Sequence, residues 1–560
     1  MRIVAALAGL ALLLGPAAAA EEMSAPVLSV AQVDWTQAAT DAGGGTPSTA
    51  LAPLNAATSV RFPGIGHSGV PVLLPFDTAG WRKEVAANPA LTLPGDAADR
   101  FVQGGFHATH FFDAGPAGYD AAFSIRTNEV KELSDIDYVD PVYVLLSGFR
   151  FTYELKGPAL PETTPVKDLE GQFPGIARTM HEYYLRTSFQ RYGVTYVVAI
   201  FCRDVHPRAR VLSCNQAARI ADRFIKTLQL AGGAPDAPPL DVAAVPPRPQ
   251  AVDAAFSYYP PGSLIPYTGL KPDVPGSADM TVYARLRFPM KEAPAYANSQ
   301  SFNSWGDCDF TGRAPRRVRA KDARYECKVN GRPLVFDEAG GGNYRYPWRD
   351  NFCEHRHFPV GQCPGGEGHQ GQDIRPSFCK KLNDGADRCE PYQQEIVAVH
   401  DGVVLRARKQ EAVFLFINSP RAHVRVRYIH MNPKQLDADG MLSGKRLSEG
   451  DTIGKVGNYN DYERGTTYHL HFDMQVPTRI GYVFVNPYMT LVSAYERLIG
   501  GRGTEIEPKP LPPAATVIEV PSVESKAAAE KSATKPHHAA VRLPPHRSRH
   551  RGHRRRIAHR

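Results

Sequence analysis

Residues 466–474, TTYHLHFDM, place two histidines two positions apart in a stretch that alternates in polarity. In a β-strand, residues i and i+2 project from the same face. The polar face would hold His469, His471, Asp473 and Gln475, and the other face Leu470, Phe472, Met474 and Val476. The pattern therefore predicts a strand with one buried face. Taken alone, it fits solvated histidines on a half-buried strand as well as it fits a functional pair.

Two other segments of the same region carry candidate metal ligands. GHQGQDIRP (368–376) contains His369 and Asp373 four positions apart, and RYIHMNP (427–433) contains His430 at the end of an alternating strand pattern. A catalytic zinc site needs three protein ligands and one open position for water. The three segments together hold enough histidine and aspartate for such a site.

In order and spacing, these segments resemble the lysostaphin/LytM-type zinc metallopeptidases, which cut peptide bridges in bacterial peptidoglycan. That family has a His-x-x-x-Asp segment, a glycine-turned hairpin, a lone His and a His-x-His segment. The matching segments here are His369-x-x-x-Asp373, AVHDGVV (398–404), YIHM (428–431), GDTIGKVGN (450–458) and HLHFDM (469–474). The resemblance covers about residues 282–498.

The resemblance implies a role for each of five residues. His369, Asp373 and His471 would bind one Zn²⁺ per chain. His430 and His469 would be the catalytic pair, with His469 as the base and His430 orienting the substrate and stabilising the oxyanion. Histidine titrates near neutral pH, which suits acid–base work in a site that has no motif glutamate. The implied reaction is hydrolysis of peptide cross-links in peptidoglycan stems by metal-activated water.

A different class of function stays open beside the enzyme. Some members of this family have lost metal ligands, and they bind peptidoglycan and activate another cell-wall hydrolase without cutting. All five key positions are present here, which favours a zinc metalloendopeptidase. Nucleic-acid binding is not expected, because the basic residues near the C-terminus have no aromatic residues among them for base stacking.

The chain departs from the family pattern mainly by two cysteine-bearing insertions beside the His-x-x-x-Asp segment. Eight cysteines in an exported chain indicate disulfides. Pairing between neighbours predicts the bridges 202–214, 308–327, 353–363 and 379–389. Tyr468 and Asp473 stand where the family often has proline and glutamate, and neither change removes a ligand. The two compact bridges near the motif are expected to frame the substrate cleft.

Composition divides the chain into six segments. A basic residue, an apolar run and a run of alanines at the start predict a signal peptide, so we expect export to the periplasm or the cell exterior. No later apolar run is long enough to cross a membrane. Residues 142–155 and 194–204 predict strands, and residues 215–233 predict a helix. The expected order is a signal peptide (1–20), a flexible leader (21–58), an α+β domain of unassigned role (59–232), a Pro/Ala-rich linker (233–256), the zinc peptidase domain (257–500) and a disordered basic tail (501–560).

The fold class expected from these segments is an all-β catalytic domain, an antiparallel sheet or open barrel, preceded by a smaller α+β domain. The formal net charge of +8 belongs to the tail, because residues 536–560 hold eight arginines, six histidines and no acidic residue, which leaves +8 − 8 = 0 for the rest. Such a tail cannot bury a core. We expect it to bind the anionic envelope surface in a salt-dependent way.

Overall fold

A computed structural model gives the structure of the chain. It describes residues 22–87, 95–204, 211–241, 245–262, 279–298, 347–354, 356, 358–383 and 388–506, together with Glu338 and the backbone of 307–310, 325–329 and 332–333. The predicted signal peptide and all but the first six residues of the predicted tail lie outside this part. Within it, no helix combines the length and the apolar character needed to span a membrane.

Residues 22–58 are folded, so the expectation of a flexible leader over 21–58 is wrong. They form β1 (Val27–Val30), α1 (Trp35–Asp41) and α2 (Pro47–Thr58). The Thr46 side chain caps α2 by accepting the Thr49 N–H, and proline takes the first helical position, where its missing N–H costs little. Leu51 and Leu54 bury the inner face of α2. Alanine, which occurs four times in α2, is a strong helix former.

The N-terminal half is built on a seven-stranded antiparallel sheet. Its strands are β3 (His107–Gly115), β4 (Gly118–Ile125), β5 (Val142–Phe149), β7 (Thr164–Pro165), β8 (Ala177–His181), β9 (Tyr184–Arg191) and β10 (Val194–Phe201). Their spatial order is β3-β4-β5-β10-β9-β8-β7. A short strand, β6 (Phe151–Glu154), pairs with β1. Strands predicted over 142–155 and 194–204 are therefore present, the first as two strands.

Helix α4 (Cys214–Lys226) packs on β9 and β10 of this sheet, and α3 (Thr78–Ala87) packs against α2. A capping box starts α4, in which Ser213 and Gln216 satisfy each other's backbone N–H groups. The helix predicted over 215–233 ends early, because residues after Thr227 extend into β11 (Gln229–Gly232) and pair with β2 (Val72–Leu74). Short 3-10 helices lie at Ile65–His67, Gly95–Phe101, Thr127–Glu129, Lys131–Leu133 and Lys167–Leu169.

The C-terminal half is built on an eight-stranded antiparallel sheet, which confirms the expected β architecture. Its strands are β13 (Ala295–Ala297), β17 (Gly371–Pro376), β19 (Gly402–Leu405), β20 (Val413–Ser419), β21 (Ala422–Ile429), β22 (Arg446–Leu447), β24 (Leu470–Thr478) and β25 (Gly481–Val485). Their order is β13-β17-β24-β21-β20-β19-β22, and β25 also pairs with β24. We call this the second sheet.

Smaller elements complete the C-terminal half. They are β12 (Val252–Tyr258), β14 (Asp307–Phe310), β15 (Tyr325–Val329), β16 (Arg332–Pro333), β18 (Glu395–Val397), β23 (Thr452–Lys455), β26 (Arg502–Glu505), α5 (Pro433–Ala438) and α6 (Tyr488–Ile499). Strand β26 pairs in parallel with β12. The tail predicted from residue 501 therefore begins too early, because the backbone of 502–505 has strand partners.

In the described residues up to Ile506, the two halves pack against each other within one compact unit. We call the seven-stranded sheet of the N-terminal half the first sheet. Its residues Phe111, Phe149 and Val197 form one apolar cluster with Phe416 and Tyr482 of the second sheet. Directly opposed residues of neighbouring strands share a face, and Tyr482 lies opposite Pro477. Pro477 shares its face with His471, Asp473 and Gln475, since they alternate along β24. The first sheet therefore covers part of the same face that carries the candidate metal residues.

Candidate metal centre

Three neighbouring strands bring the five predicted site residues to one end of the second sheet. Asp373 of β17 lies directly opposite His471 of β24, and on its other side His471 lies opposite Ile429 of β21. His430 follows β21 at once, and His369 and His469 stand just before β17 and β24. Residues far apart in sequence therefore meet because β24 is the central strand of the three.

The candidate ligand atoms have the spacing that a metal ion requires. His369 Nε2 lies 2.9 Å from His471 Nδ1, and Asp373 Oδ1 lies 3.3 Å from each of these nitrogens. In a tetrahedral zinc site with bonds of about 2.0–2.1 Å, ligand atoms lie about 3.3 Å apart. Two imidazole nitrogens and a carboxylate oxygen are also ligands that zinc prefers. The residues fit zinc in number, type and spacing.

Each histidine of this set has its second nitrogen engaged. His369 Nδ1 lies 2.9 Å from the Asn351 carbonyl oxygen, so Nδ1–H donates to it and Nε2 keeps its lone pair for the site. His471 Nε2 lies 3.2 Å from Asp473 Oδ2, which leaves Nδ1 for the site. Hydrogen bonds of this kind fix the tautomer of a metal ligand. The Asn351 side chain also donates to Asp373 Oδ2, at 3.1 Å.

His469 and His430 stand beside the ligand set with one nitrogen each held by a backbone carbonyl. His469 Nδ1 lies 2.8 Å from the Thr467 oxygen, and His430 Nδ1 lies 2.7 Å from the Tyr459 oxygen. Their rings are 4.7 Å apart between centroids. His469 Nε2 is buried and has no hydrogen-bond partner among the described residues, and it lies 3.4 Å from Asp373 Oδ1. Burying an imidazole nitrogen without a hydrogen-bond partner costs free energy. This indicates that the site binds a group at His469 Nε2.

Burial and mutual attraction set the charge states of the site. Burial raises the pKa of Asp373, but electrostatic attraction to the imidazoles of His369 and His469 and hydrogen bonds outweigh it, so the pKa lies well below its ordinary value. Burial lowers the pKa of His469 well below its usual range and that of His430 to about 4. For His471, burial lowers the pKa, but hydrogen bonds to Asp373 and Asp473 raise it overall. At neutral pH the site therefore holds an ionised carboxylate and neutral imidazoles at His430 and His469.

Several residues that shape the site had no signal in the sequence. Glu338 is fully buried and accepts hydrogen bonds from the backbone N–H groups of Tyr468 and Cys389 and from Arg388. Arg375 donates to the Tyr468 carbonyl and to the Thr467 hydroxyl. Charged side chains thus hold the backbone just before His469. Neither Glu338 nor Asn351 belongs to a recognisable motif, because both lie in segments where the chain departs from the family pattern.

Three of the four predicted disulfides are formed in the described residues, Cys202–Cys214, Cys353–Cys363 and Cys379–Cys389. For the fourth, the backbone sets Cys308 of β14 opposite Cys327 of β15, and the two side chains lie outside the described residues. The 353–363 bridge begins beside the site, since the Cys353 N–H donates to the His369 carbonyl. This agrees with the expectation that disulfide loops border the cleft.

Comparison with known proteins gives a family for part of the chain. Residues 381–487 match the sequence model of peptidase family M23. No curated protein matches the chain. Among solved structures, the chain is similar to a candidate glycyl-glycine endopeptidase lytM from Ruminococcus gnavus ATCC 29149. The two are 22% identical, with a TM-score of 0.17, over 24% of this chain and 49% of that one. The chain thus spans about half of the length of that protein.

The matched segment contains three of the five site residues, His430, His469 and His471. His369 and Asp373 precede it, and the pairing of β17 with β24 joins them to it. The resemblance to the LytM-type family is confirmed for this segment, because residues 381–487 match peptidase family M23.

Proposed function

We propose that this protein is a zinc-dependent endopeptidase that hydrolyses peptide cross-links of bacterial peptidoglycan. The observation that carries the proposal is the triangle of His369 Nε2, Asp373 Oδ1 and His471 Nδ1, with sides of 2.9 to 3.3 Å. A family M23 domain that includes His471 supports peptide hydrolysis as the chemistry. All five positions that the family pattern requires are present, which favours the enzyme over a binding regulator.

The residues divide the work by position. His369, Asp373 and His471 would hold the metal, which when bound supplies Lewis acidity toward a peptide carbonyl and acidifies water. His469 is neutral, and its free Nε2 faces the ligand set, so it can take a proton at that atom as general base. His430 donates Nδ1–H to the Tyr459 carbonyl, so its Nε2 carries the lone pair; after taking up a proton at Nε2, it can donate that N–H to the carbonyl oxygen where negative charge develops.

Burial supports this division. His369, Asp373, His469 and His471 are all buried, so hydrogen bonds inside the site are stronger than in water. The backbone groups that orient both catalytic imidazoles are in place before substrate arrives. A preorganised site of this kind needs little reorganisation free energy when the reaction takes place.

We also propose that the protein works outside the cytoplasm, most simply in the periplasm. The bridges at 202–214, 353–363 and 379–389 support this location, because disulfides persist in oxidising compartments. The apolar start of the chain agrees with export. The arginine-rich C-terminal segment would then meet anionic envelope surfaces.

The test is digestion of purified peptidoglycan by the purified protein, with and without a chelator, with products identified by mass spectrometry. We expect new amine and carboxyl termini within the peptide stems or bridges, lost with chelator and restored by added zinc. A regulator would release no products alone but would raise the rate of a second wall hydrolase in the same assay. That pattern would overturn the proposal in favour of the regulator.

A further inference from the structure

A charged pair crosses from β21 to β24 immediately beside the candidate metal centre. Arg427 and Asp473 lie directly opposite each other, and Asp473 shares the face of His471, two residues earlier on the same strand. Asp473 is fully buried, and the Arg427 side chain is about one-fifth exposed. An ionised carboxylate this deep in the protein is costly unless it is paired and hydrogen-bonded.

The pair is linked to both ligand-bearing segments. Asp473 Oδ2 accepts from His471 Nε2 at 3.2 Å and from Arg427 Nε at 2.6 Å. The Arg427 guanidinium also donates to Gln370 Oε1, at 2.7 Å, and Gln370 follows His369 in the chain. Arg427 of β21 therefore connects two groups. One is Gln370, which follows the candidate ligand His369, and the other is Asp473, which is hydrogen-bonded to the candidate ligand His471.

A neutral imidazole has a single N–H, and its location decides which nitrogen can bind a metal. With Nε2–H donated to Asp473, the lone pair of His471 lies on Nδ1, which is the nitrogen facing His369 and Asp373. Asp473 is the hydrogen-bond partner that the described residues provide for His471 Nε2, so it selects that tautomer and fixes the ring plane. The Arg427 guanidinium in turn keeps Asp473 oriented and compensates its charge.

We propose that Asp473, held by Arg427, is a positioning residue that sets the tautomer and orientation of His471 for metal binding. This rests on the proposed zinc site but goes beyond it, because it assigns a role to a residue outside the ligand set and outside the catalytic pair. Asp473 contacts neither metal nor substrate in this role. Its effect appears in metal affinity, which separates it from a cross-strand pair that only supports the sheet.

The chain contains a matched control one step along the same two strands. Arg425 lies opposite Gln475, and its Nε donates to Gln475 Oε1 at 2.7 Å. Gln475 is buried on the same face as Asp473. It makes the same kind of cross-strand contact, but the hydrogen bonds found for its side chain involve only Arg425 and do not reach a histidine of the site. A substitution at Gln475 disturbs the sheet without disturbing His471.

The experiment measures zinc dissociation constants of the full-length protein by competition with a chromophoric chelator. We compare the wild type with Asp473→Asn, Arg427→Met and Gln475→Ala, and check each fold by circular dichroism and thermal midpoint. Loss of an orienting partner typically weakens metal binding about 10- to 100-fold. We expect zinc affinity to fall by this factor in Asp473→Asn and by a smaller factor in Arg427→Met. In Gln475→Ala it should change by less than about twofold, because Gln475 does not orient a metal ligand.

The double variant Asp473→Asn/Arg427→Met adds a second readout. Because Arg427 acts through Asp473, the double variant should bind zinc about as weakly as Asp473→Asn alone. Equal zinc affinity of folded Asp473→Asn and wild type would overturn the inference and leave the proposed function standing. Equal losses in Asp473→Asn and Gln475→Ala would also overturn it, as a general effect on the sheet. A wild type that binds no zinc would instead refute the proposed function.

Discussion

The junction between the two sheets contains a buried ion pair, and breaking it should lower the free energy of unfolding of the protein. Arg186 of β9 donates to Glu182 Oε2 at 3.1 Å, and the two side chains are 2% and 0% exposed. Arg186 also donates to the Tyr482 carbonyl of β25. Glu182 accepts the N–H groups of Phe484 in β25 and of Gly361 in the 353–363 disulfide loop. The pair therefore links the first sheet, the second sheet and a loop of the candidate site.

The perturbation is Arg186→Met, which keeps the length of the side chain and removes its charge and donors. Glu182 then keeps the backbone N–H groups of Gly361 and Phe484 but loses its buried cation, and the Tyr482 carbonyl loses a donor. Removing one partner of a buried ion pair typically costs about 3–5 kcal/mol. Adding Glu182→Leu removes the uncompensated charge, so the double variant should recover part of that loss.

The control is Arg219→Met, which breaks the exposed pair between Arg219 and Asp135, whose side chains are 46% and 66% exposed. Exposed pairs contribute about 0–1 kcal/mol. The assay is urea unfolding of the oxidised protein, followed by far-ultraviolet circular dichroism and tryptophan fluorescence. A loss for Arg186→Met no larger than that for Arg219→Met would show that the buried pair does not stabilise the junction. A double variant no more stable than Arg186→Met would show that the loss does not come from an uncompensated charge on Glu182.

Three further predictions concern catalysis, pH and the tail. His469→Ala should keep its zinc and lose about 10²- to 10⁴-fold in the rate of peptidoglycan cleavage, and loss of zinc in this variant would show that His469 is a ligand. Burial, aided by Arg186, lowers the pKa of His181 to about 3, so the folded state takes up a proton less readily than the unfolded one. The stability that neutral His181 contributes is therefore complete above about pH 6.5 and is lost as the pH falls toward 3. Between pH 7 and pH 4.5, the free energy of unfolding of His181→Gln, measured in urea, should fall by about 2–3 kcal/mol less than that of the wild type. Truncation after Glu530 should leave cleavage of a small soluble muropeptide unchanged and weaken binding to insoluble envelope, and loss of cleavage would place the tail in the active site.

The local pattern of the sequence was enough to predict strands around the site. Alternation around His471 indicated β24, and the pattern before His430 placed that residue at the end of β21. The resemblance to a known family, not the local pattern, indicated which of these residues would lie together. Strand periodicity and motif order are both carried by neighbouring residues, so both can be recognised in a single sequence.

What the sequence could not give depends on contacts between distant segments. The polar face of β24 is as buried as its apolar face, because the first sheet and the disulfide loop cover it. Helix α4 ends at Lys226, because residues 229–232 pair with a strand more than 150 positions earlier. Glu338 reaches the backbone before His469 from a segment with no motif. Periodicity contains no information about such pairings.

We expect His369, Asp373 and His471 to form one zinc site. The most direct measurement is the zinc content per chain of the purified full-length protein and of His471→Ala, by elemental analysis after removal of loosely bound metal. We expect one zinc per wild-type chain and almost none in His471→Ala, since two ligands remain of three. Equal zinc in the two proteins, or none in the wild type after incubation with zinc, would contradict it.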